Sequence, residues 1–260
     1  MRSFERSVSE YMSSPVHSVS IDESASEVGR HLTEMRVSCL AVVGRDGKLA
    51  GVVSHTDLVQ IGHIIARTTG GPSLLELPSA CVGDVITTHV ITVAPKATLV
   101  EAARIMNERN LHRLFVVEDE RPVGVVSSRD LMRAVIEDQV RRPVADVMSA
   151  PVPTAAPADT IALVTERLSR GRLTGVVVVE AGLPLGIFTQ IEAVEARELP
   201  SETPVGEAMG YSVTSVPAQM PLFRAAALAL GTRARRVLAL DKGELCGILT
   251  GLHFARAALG

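Results

Sequence analysis

The amino-acid sequence predicts a mixed α/β (α+β) chain of four β-α-β-β-α repeats grouped in two pairs. Three observations predict it. A seven-residue pattern occurs four times: Gly51-Val-Val-Ser54-His-Thr-Asp57, Gly124-Val-Val-Ser127-Ser-Arg-Asp130, Gly186-Ile-Phe-Thr189-Gln-Ile-Glu192 and Gly247-Ile-Leu-Thr250-Gly-Leu-His253. Its copies lie roughly 60 to 75 residues apart, and self-similarity at such a period identifies a repeat architecture. Each copy ends the same series of signals: a short β-prone run, an amphipathic helix and a hairpin. The residues that open the hairpin alternate. Ser38-Cys39 and Thr174-Gly175 stand in the odd copies, His112-Arg113 and Arg235-Arg236 in the even ones. Odd resembles odd and even resembles even, which makes two repeat pairs rather than four equivalent units.

The elements follow in order. In the first repeat Val16 to Val19 is the short strand and Ser24-Ala-Ser-Glu27 a capping box, with Glu three residues after a hydroxyl N-cap. Ala25, Val28, Leu32 and Met35 then form an apolar stripe at helical spacing. Leu40 to Val43 and Ala50 to Ser54 read as strands joined at Asp46-Gly47, a hairpin signal. The second repeat has Val90 to Val93, the capping box Thr98-Leu-Val-Glu101, and a helix face of Leu99, Ala102, Ala103 and Met106. Leu114 to Val117 and Val123 to Ser127 are its hairpin strands around Asp119, Glu120 and Pro122. Its second helix starts near Ser128 and carries Leu131, Met132 and Val135. The third repeat has Ile161, Val164 and Leu168 on its helix and a strand at Val176 to Val179. The fourth has Leu222, Ala225, Ala226 and Ala229, then Val237 to Leu240; neither later copy has the capping-box glutamate. The expected repeat bounds are 1–62, 78–140, 141–198 and 201–260. Arg142-Pro143 divides the pairs into 1–140 and 141–260, and a segment from Gly62 to Ala80, with Gly70-Gly71-Pro72, links the first two repeats.

Composition excludes several function classes. Of 260 residues 47% are apolar, enough for a sizeable core, while aromatics are 3% and Trp is absent. The net charge of −3 and sequence pI of about 6.2 argue against broad attraction to nucleic acid or an anionic membrane. Three widely spaced cysteines, Cys39, Cys81 and Cys246, make neither a disulfide framework nor a zinc knuckle. A reducing cytoplasm is the simplest setting. The start of the chain has no apolar signal region, and the longest uncharged helix candidate, Ala225 to Gly231, is too short to span a bilayer. His31, His55, His63 and His89 have no metal-ligand spacing, and no nucleophile–base arrangement or phosphate-cradling loop is present. No metal and no cofactor is expected.

The repeated motif carries the chemistry. A carboxylate at the start of a helix, as at Asp57 and Asp130, can accept from both hydroxyls of a ribose. It can also cap its own helix; within four aligned copies ribose binding is the favoured reading. Ser54 and Ser127 can donate to a ribose or phosphate oxygen. Arg113 is planar and multidentate, suited to phosphate, and His112 can donate beside it. Glu192 is one methylene longer than Asp, and His253 cannot serve as a carboxylate acceptor. Arg233, Arg235 and Arg236 form a basic cluster that reads either as phosphate-binding or as a solvated helix end.

A β-α-β-β-α unit of about 60 residues that ends in Gly-x-x-Ser/Thr-x-x-Asp resembles the CBS domain, named for cystathionine β-synthase. The resemblance covers nearly the whole chain in four copies, an architecture similar to that of the gamma subunit of AMP-activated protein kinase. It implies pairs related by pseudo-twofold axes, each with two clefts that commonly hold adenosine nucleotides or related adenosyl compounds. It implies ribose and phosphate contacts from Ser54, Thr56, Asp57, Ser127, Arg129, Asp130, His112 and Arg113, and an adenine slot lined by Val16, Val90 and Thr92. Thr189, Glu192, Thr250 and Arg236 are weaker candidates, because the second half departs from the pattern at Glu192 and His253. The implied function is that of a non-catalytic regulatory protein whose regulatory ligand is AMP, ADP, ATP or S-adenosyl methionine. It would act as a homo-oligomer or on a partner protein. The alternative is a scaffold of four copies with vacant clefts.

Overall fold

The computed structural model describes residues 3–35, 37–54, 57–58, 63–65, 74–76, 80–171, 173–196 and 199–259. His55, Thr56 and Gly70-Gly71-Pro72 lie outside the described residues. The chain divides into two compact units. The first comprises Glu5–Ala102 and Arg113–Ser127; the second comprises Met1–Phe4, Ala103–His112 and Ser128–Gly260.

The first unit carries two three-stranded sheets of one topology. Strands β1 (Ser18–Ser20), β2 (Cys39–Val43) and β3 (Leu49–Ser54) lie side by side, β1 parallel to β2 and β3 antiparallel to it. Helix α1 (Ala25–Glu34) connects β1 to β2. A small antiparallel pair, β4 (His63–Ile65) with β5 (Leu74–Glu76), stands in the stretch read from sequence as a link. The second sheet is β6 (Thr92–Val93), β7 (Arg113–Glu118) and β8 (Arg121–Ser127). Helix α2 (Leu99–Arg109) follows β6.

The second unit repeats the plan. Helix α3 (Ser128–Glu137) continues from β8. Strands β9 (Thr154–Ala155), β10 (Gly175–Glu180) and β11 (Leu183–Thr189) form one sheet, with α4 (Ile161–Arg170) after β9 and α5 (Gln190–Glu195) after β11. A short helix α6 (Val205–Ala208) leads to β12 (Ser215–Pro217), α7 (Leu222–Gly231), β13 (Arg236–Asp241), β14 (Glu244–Thr250) and α8 (Gly251–Arg256). Helix α3 packs against α7 and α8. The approach to α8 is close: a Cβ on Gly251 would stand 2.2 Å from Ser128 Oγ.

Local sequence accounts for these elements. Both predicted capping boxes form: Ser24 with Glu27, and Thr98, whose amide donates to Glu101 Oε2 at 2.7 Å. Leu99, Ala102, Ala103 and Met106 are all buried, as are the predicted faces of α4 and α7. Three hairpins turn through two left-handed residues, Asp119-Glu120, Ala181-Gly182 and Lys242-Gly243, which matches the twist of the flanking strands. Two expectations are corrected. Met35 is 42% exposed, because α1 ends at Glu34 and Met35 is its C-cap rather than part of the stripe. Val16 and Val90 precede their strands, which span only the residues that pair in parallel with β2 and β7.

The pairs are built by exchange of the segments that lead into each repeat. These segments open with Val8, Val82, Val144 and Val205, and each valine is 0% exposed. Val82 sits in the core of the first repeat with Val19, Leu32 and Leu40. Val205 and Met209 sit in the core of the third with Val164 and Phe188. Burying one such side chain is worth about 1.5–3 kcal/mol. Each leading segment also adds a two-bond bridge to the hairpin of its mate. Ser13 pairs with Val125 and Thr87 with Val52; in the other unit Ser149 pairs with Ile248 and Gly210 with Ile187. All eight hydrogen bonds are 2.9 or 3.0 Å long.

The glycine that opens the repeated motif lies beneath this crossing segment. A Cβ on Gly51 would stand 2.9 Å from the Thr87 carbonyl oxygen, and one on Gly186 2.8 Å from that of Gly210. At Gly124 the nearest atoms are Met12 Sδ at 2.5 Å and the Ser13 carbonyl oxygen at 3.0 Å. At Gly247 the three nearest atoms all belong to the side chain of Met148. Backbone held by a bridge cannot yield, whereas a methionine side chain can. Gly51→Ala and Gly186→Ala should each destabilise the protein by about 1–3 kcal/mol. Gly247→Ala should stay within about 1 kcal/mol, since alanine also restricts the unfolded chain. Urea unfolding of the three variants checks this ranking, and equal losses would refute it.

Candidate functional site

The hydroxyl and the terminal residue of the motif meet at the start of a helix. In the first unit the Ser54 amide and the Ser54 hydroxyl both donate to Asp57 Oδ2, at 2.7 Å each, and the Asp57 amide donates back to Ser54 Oγ at 3.3 Å. This is a capping box, so the capping reading of Asp57 is realised in the geometry. Thr189 and Glu192 repeat it: the Thr189 amide donates to Glu192 Oε2 at 2.8 Å, and the Thr189 hydroxyl donates to the same oxygen.

His253 makes the same arrangement without a carboxylate. The Thr250 amide donates to His253 Nδ1 at 2.8 Å. The ring proton of the neutral side chain therefore sits on Nε2, which donates to Ser149 Oγ at 2.7 Å. His253 is 8% exposed. Burial pushes its pKa below the ordinary histidine range, and the charges of Arg256 and His112 push the same way.

In the first unit, strand register lines up a polar edge. Cys39 pairs with Ser54 across β2 and β3, and Arg113 pairs with Ser127 across β7 and β8. Arg113 Nη1 donates to Cys39 Sγ at 3.3 Å, which joins the two hairpin ends. Both motif hydroxyls and one guanidinium thus belong to adjoining strand ends. Thr92 lies in β6 opposite Phe115, half-buried, and Val16 and Val90 are half-buried just before their strands. Thr56 lies outside the described residues. Farther along the hairpins the Arg121 guanidinium donates to the Asp46 carbonyl at 2.7 Å, and Lys48 is ion-paired with Glu120.

In the second unit Asp130 is 8% exposed and ion-paired with Arg133 Nη1 at 3.4 Å. Arg129 is exposed, with Nη2 3.5 Å from the Leu230 carbonyl oxygen. His112 is exposed, and its carbonyl accepts from the Ser128 amide at 2.9 Å. Arg236 is half-buried and donates from Nη2 to the Thr174 carbonyl at 2.8 Å. Burial lowers its pKa, opposed by the nearby carboxylate of Glu192. The basic cluster therefore divides: Arg233 and Arg235 are exposed, while Arg236 is committed to the third repeat. Among the described residues no cluster of three or more His, Cys, Asp or Glu could hold a metal ion, and no helix is long and apolar enough to cross a membrane.

Sequence reasoning missed the leading segments, the acceptor on Cys39 and the partner of His253. A signal for the first existed: Val8-Ser9-Glu10, Val82-Gly83-Asp84, Val144-Ala145-Asp146 and Val205-Gly206-Glu207 are a second fourfold pattern.

The His253 cap yields a prediction. The unfolded chain protonates this histidine below about pH 6.5, whereas the folded chain resists protonation. Its contribution is therefore present above that pH and is lost as pH falls through the lowered folded value. His253→Ala should cost about 1–3 kcal/mol near pH 8, since buried bonds to Thr250 and Ser149 are lost. Between pH 8 and pH 5.5 the wild type should lose more stability than His253→Asp, which keeps a cap acceptor but has no group that titrates there. Urea midpoints across that range test this, and parallel losses would contradict it.

Comparison with known proteins agrees with this geometry. The model of the CBS domain matches residues 8–63, 82–137 and 144–198. An uncharacterized protein of Methanocaldococcus jannaschii is 32% identical over 139 residues, which cover 44% of this chain and 83% of that protein. A mitochondrial CBS domain-containing protein of Arabidopsis thaliana is 26% identical over 121 residues, 45% of this chain and 55% of that protein. Among solved structures, a Methanocaldococcus jannaschii protein suggested as an archaeal homologue of g-AMPK superposes with a TM-score of 0.73, at 17% identity, over 96% of this chain and 99% of its own. The fourth repeat, outside the matched residues, has the strand order of the other three and the cap geometry of the first and third, and the chain belongs to the CBS domain family.

Proposed function

We propose that this chain is a non-catalytic regulatory protein that binds an adenosyl ligand, AMP, ADP, ATP or S-adenosyl methionine, through its first pair of CBS domains. CBS-domain proteins of this fold bind adenosyl ligands as regulators. The observation that carries the reading to this chain is the polar edge of the first unit, where Ser54, Arg113 and Ser127 stand on adjoining strand ends. A ribose offers hydroxyls to the aspartate of its own site, Asp57 or Asp130, through charge-assisted bonds worth about 1.5–3 kcal/mol. A phosphate takes the Arg113 guanidinium, with Ser54, Thr56 and Ser127 as further donors of the first unit; His112 and Arg129 are the phosphate donors proposed for the second unit. Val16, Val90 and Thr92 line the adenine. The ligand regulates by favouring one geometry of the pair over another, which requires that it bind the two with different affinity. The protein works in the cytoplasm, as a homo-oligomer or on a partner protein.

A scaffold role is the second reading, and it fits the second pair. There Arg236 is held by the Thr174 carbonyl, and His253 by Thr250 and Ser149. Thr189, Glu192 and Thr250 serve their own helix caps, so these groups are satisfied without a ligand.

Thermal unfolding with AMP, ADP, ATP and S-adenosyl methionine, against GMP and CMP, separates the two. At about 100 times its dissociation constant an adenosyl ligand should add about 2.7 kcal/mol. Asp57→Asn keeps a helix-capping acceptor but loses the charge, and should weaken that ligand roughly ten- to a hundredfold. Glu192→Gln should change its affinity less than about twofold. No response to any adenosyl compound at millimolar concentration would leave the scaffold reading for the whole chain.

A further inference from the structure

In each pair the arginine that opens the even hairpin reaches the start of the odd hairpin, but the acceptor differs. Arg113 donates to a thiol sulfur, Cys39 Sγ, at 3.3 Å. Arg236 donates to a backbone carbonyl, that of Thr174, at 2.8 Å. The two contacts occupy equivalent places. Cys39 opens β2 and pairs with the motif residue Ser54; Gly175 opens β10 and pairs with the motif residue Thr189.

The residue at this place differs in size and chemistry. Cys39 supplies a side chain, and its sulfur is a weak acceptor. Gly175 supplies none. A Cβ there would lie 3.6 Å from Arg236 Nη2 and 3.0 Å from Thr189 Cγ2. That is ordinary contact for the guanidinium, so what the glycine lacks is a side-chain acceptor, and Arg236 turns to the carbonyl of residue 174. With a carbonyl as acceptor, the arginine makes a short charge-assisted bond. With sulfur, it is oriented but weakly held.

A ligand phosphate competes for the arginine. If the arginine is held elsewhere for most of the time, the apparent affinity falls by the fraction of time it is free. A carbonyl latch therefore lowers phosphate affinity, and a sulfur latch hardly does.

We propose that the first residue of the odd hairpin, Cys39 in one pair and Gly175 in the other, decides whether the arginine opposite can be given up to a phosphate. Cys39 is a positioning residue: it aims Arg113 along the strand ends without holding it. The proposal rests on the adenosyl reading of the first pair and names the residue that sets its preference for phosphorylated ligands.

The test uses the full chain and two variants, with AMP and adenosine as calorimetric probes. Cys39→Gly gives Arg113 the acceptor available to Arg236, the carbonyl one residue earlier, at Ser38. Its preference for AMP over adenosine should fall about tenfold, the effect of one ordinary hydrogen bond. Cys39→Ala also removes the sulfur and, since a Cβ at this place stands in ordinary contact with the guanidinium, should lower the preference about as much. A preference for AMP that survives in either variant would overturn the proposal. If the wild type binds neither compound, the adenosyl reading falls, and the latch is judged by crystal structures of the wild type and Cys39→Gly. There the Arg113 guanidinium should move from Cys39 Sγ to the Ser38 carbonyl; a guanidinium that stays in place refutes the latch.

Discussion

The exchange of leading segments is the constraint on which the pairs depend. A unit of about 60 residues buries too small a share of its surface to be more than marginally stable alone. Each repeat here completes its core with a valine from its mate: Val82 in the first repeat and Val205 in the third. The backbone of the same segment then bridges the mate's hairpin, as Thr87 does at Val52 and Gly210 at Ile187. Because the donation is reciprocal, neither member of a pair has a complete core without the other. The glycine of the repeated motif follows from this packing rather than from a turn: it lets a second backbone pass directly over the strand. The residues that complete the core therefore also fix where the motif hydroxyls, three residues later, come to lie.

The motif caps its helix, and under the proposed function the same geometry would also hold a ribose. Ser54 and Asp57 close a capping box, as do Thr189 and Glu192 and, with an imidazole in place of the carboxylate, Thr250 and His253. Capping requires only an acceptor for a backbone amide. Ribose recognition requires a charged acceptor that reaches beyond the cap. The first requirement is met at Asp57, Glu192 and His253, and the second excludes His253. The two pairs also differ in what their even arginines hold, sulfur in one and carbonyl in the other. Both differences favour ligand exchange in the first pair and internal satisfaction in the second.

Much of this was legible in the sequence, because it depends on local periodicity. Helical spacing identified Leu99, Ala102, Ala103 and Met106 as one buried face, and hydroxyl-to-glutamate spacing identified the caps of α1 and α2. Met35 fits the same spacing yet is exposed, since the helix stops one residue before it. Val16 and Val90 are β-prone, but strand length is set by the partner strand, which pairs only with later residues. The candidate site was legible as residue types at fixed positions. Its bonding was less so: the role of His253 depends on Ser149, about a hundred residues away, and that of Arg113 on Cys39. Such contacts are set by how repeats pair, and no local pattern encodes them.

The central claim is that the first pair is the responsive one and the second a fixed element. Amide hydrogen exchange of the full chain, with and without AMP, tests it most directly. Exchange reports local opening, and a ligand that bonds strand ends should slow it there. The account predicts added protection in the peptides that carry Cys39–Ser54 and Arg113–Ser127, and unchanged exchange in those that carry Gly175–Thr189 and Arg236–Thr250. Protection confined to the third and fourth repeats, or equal in all four, would contradict it.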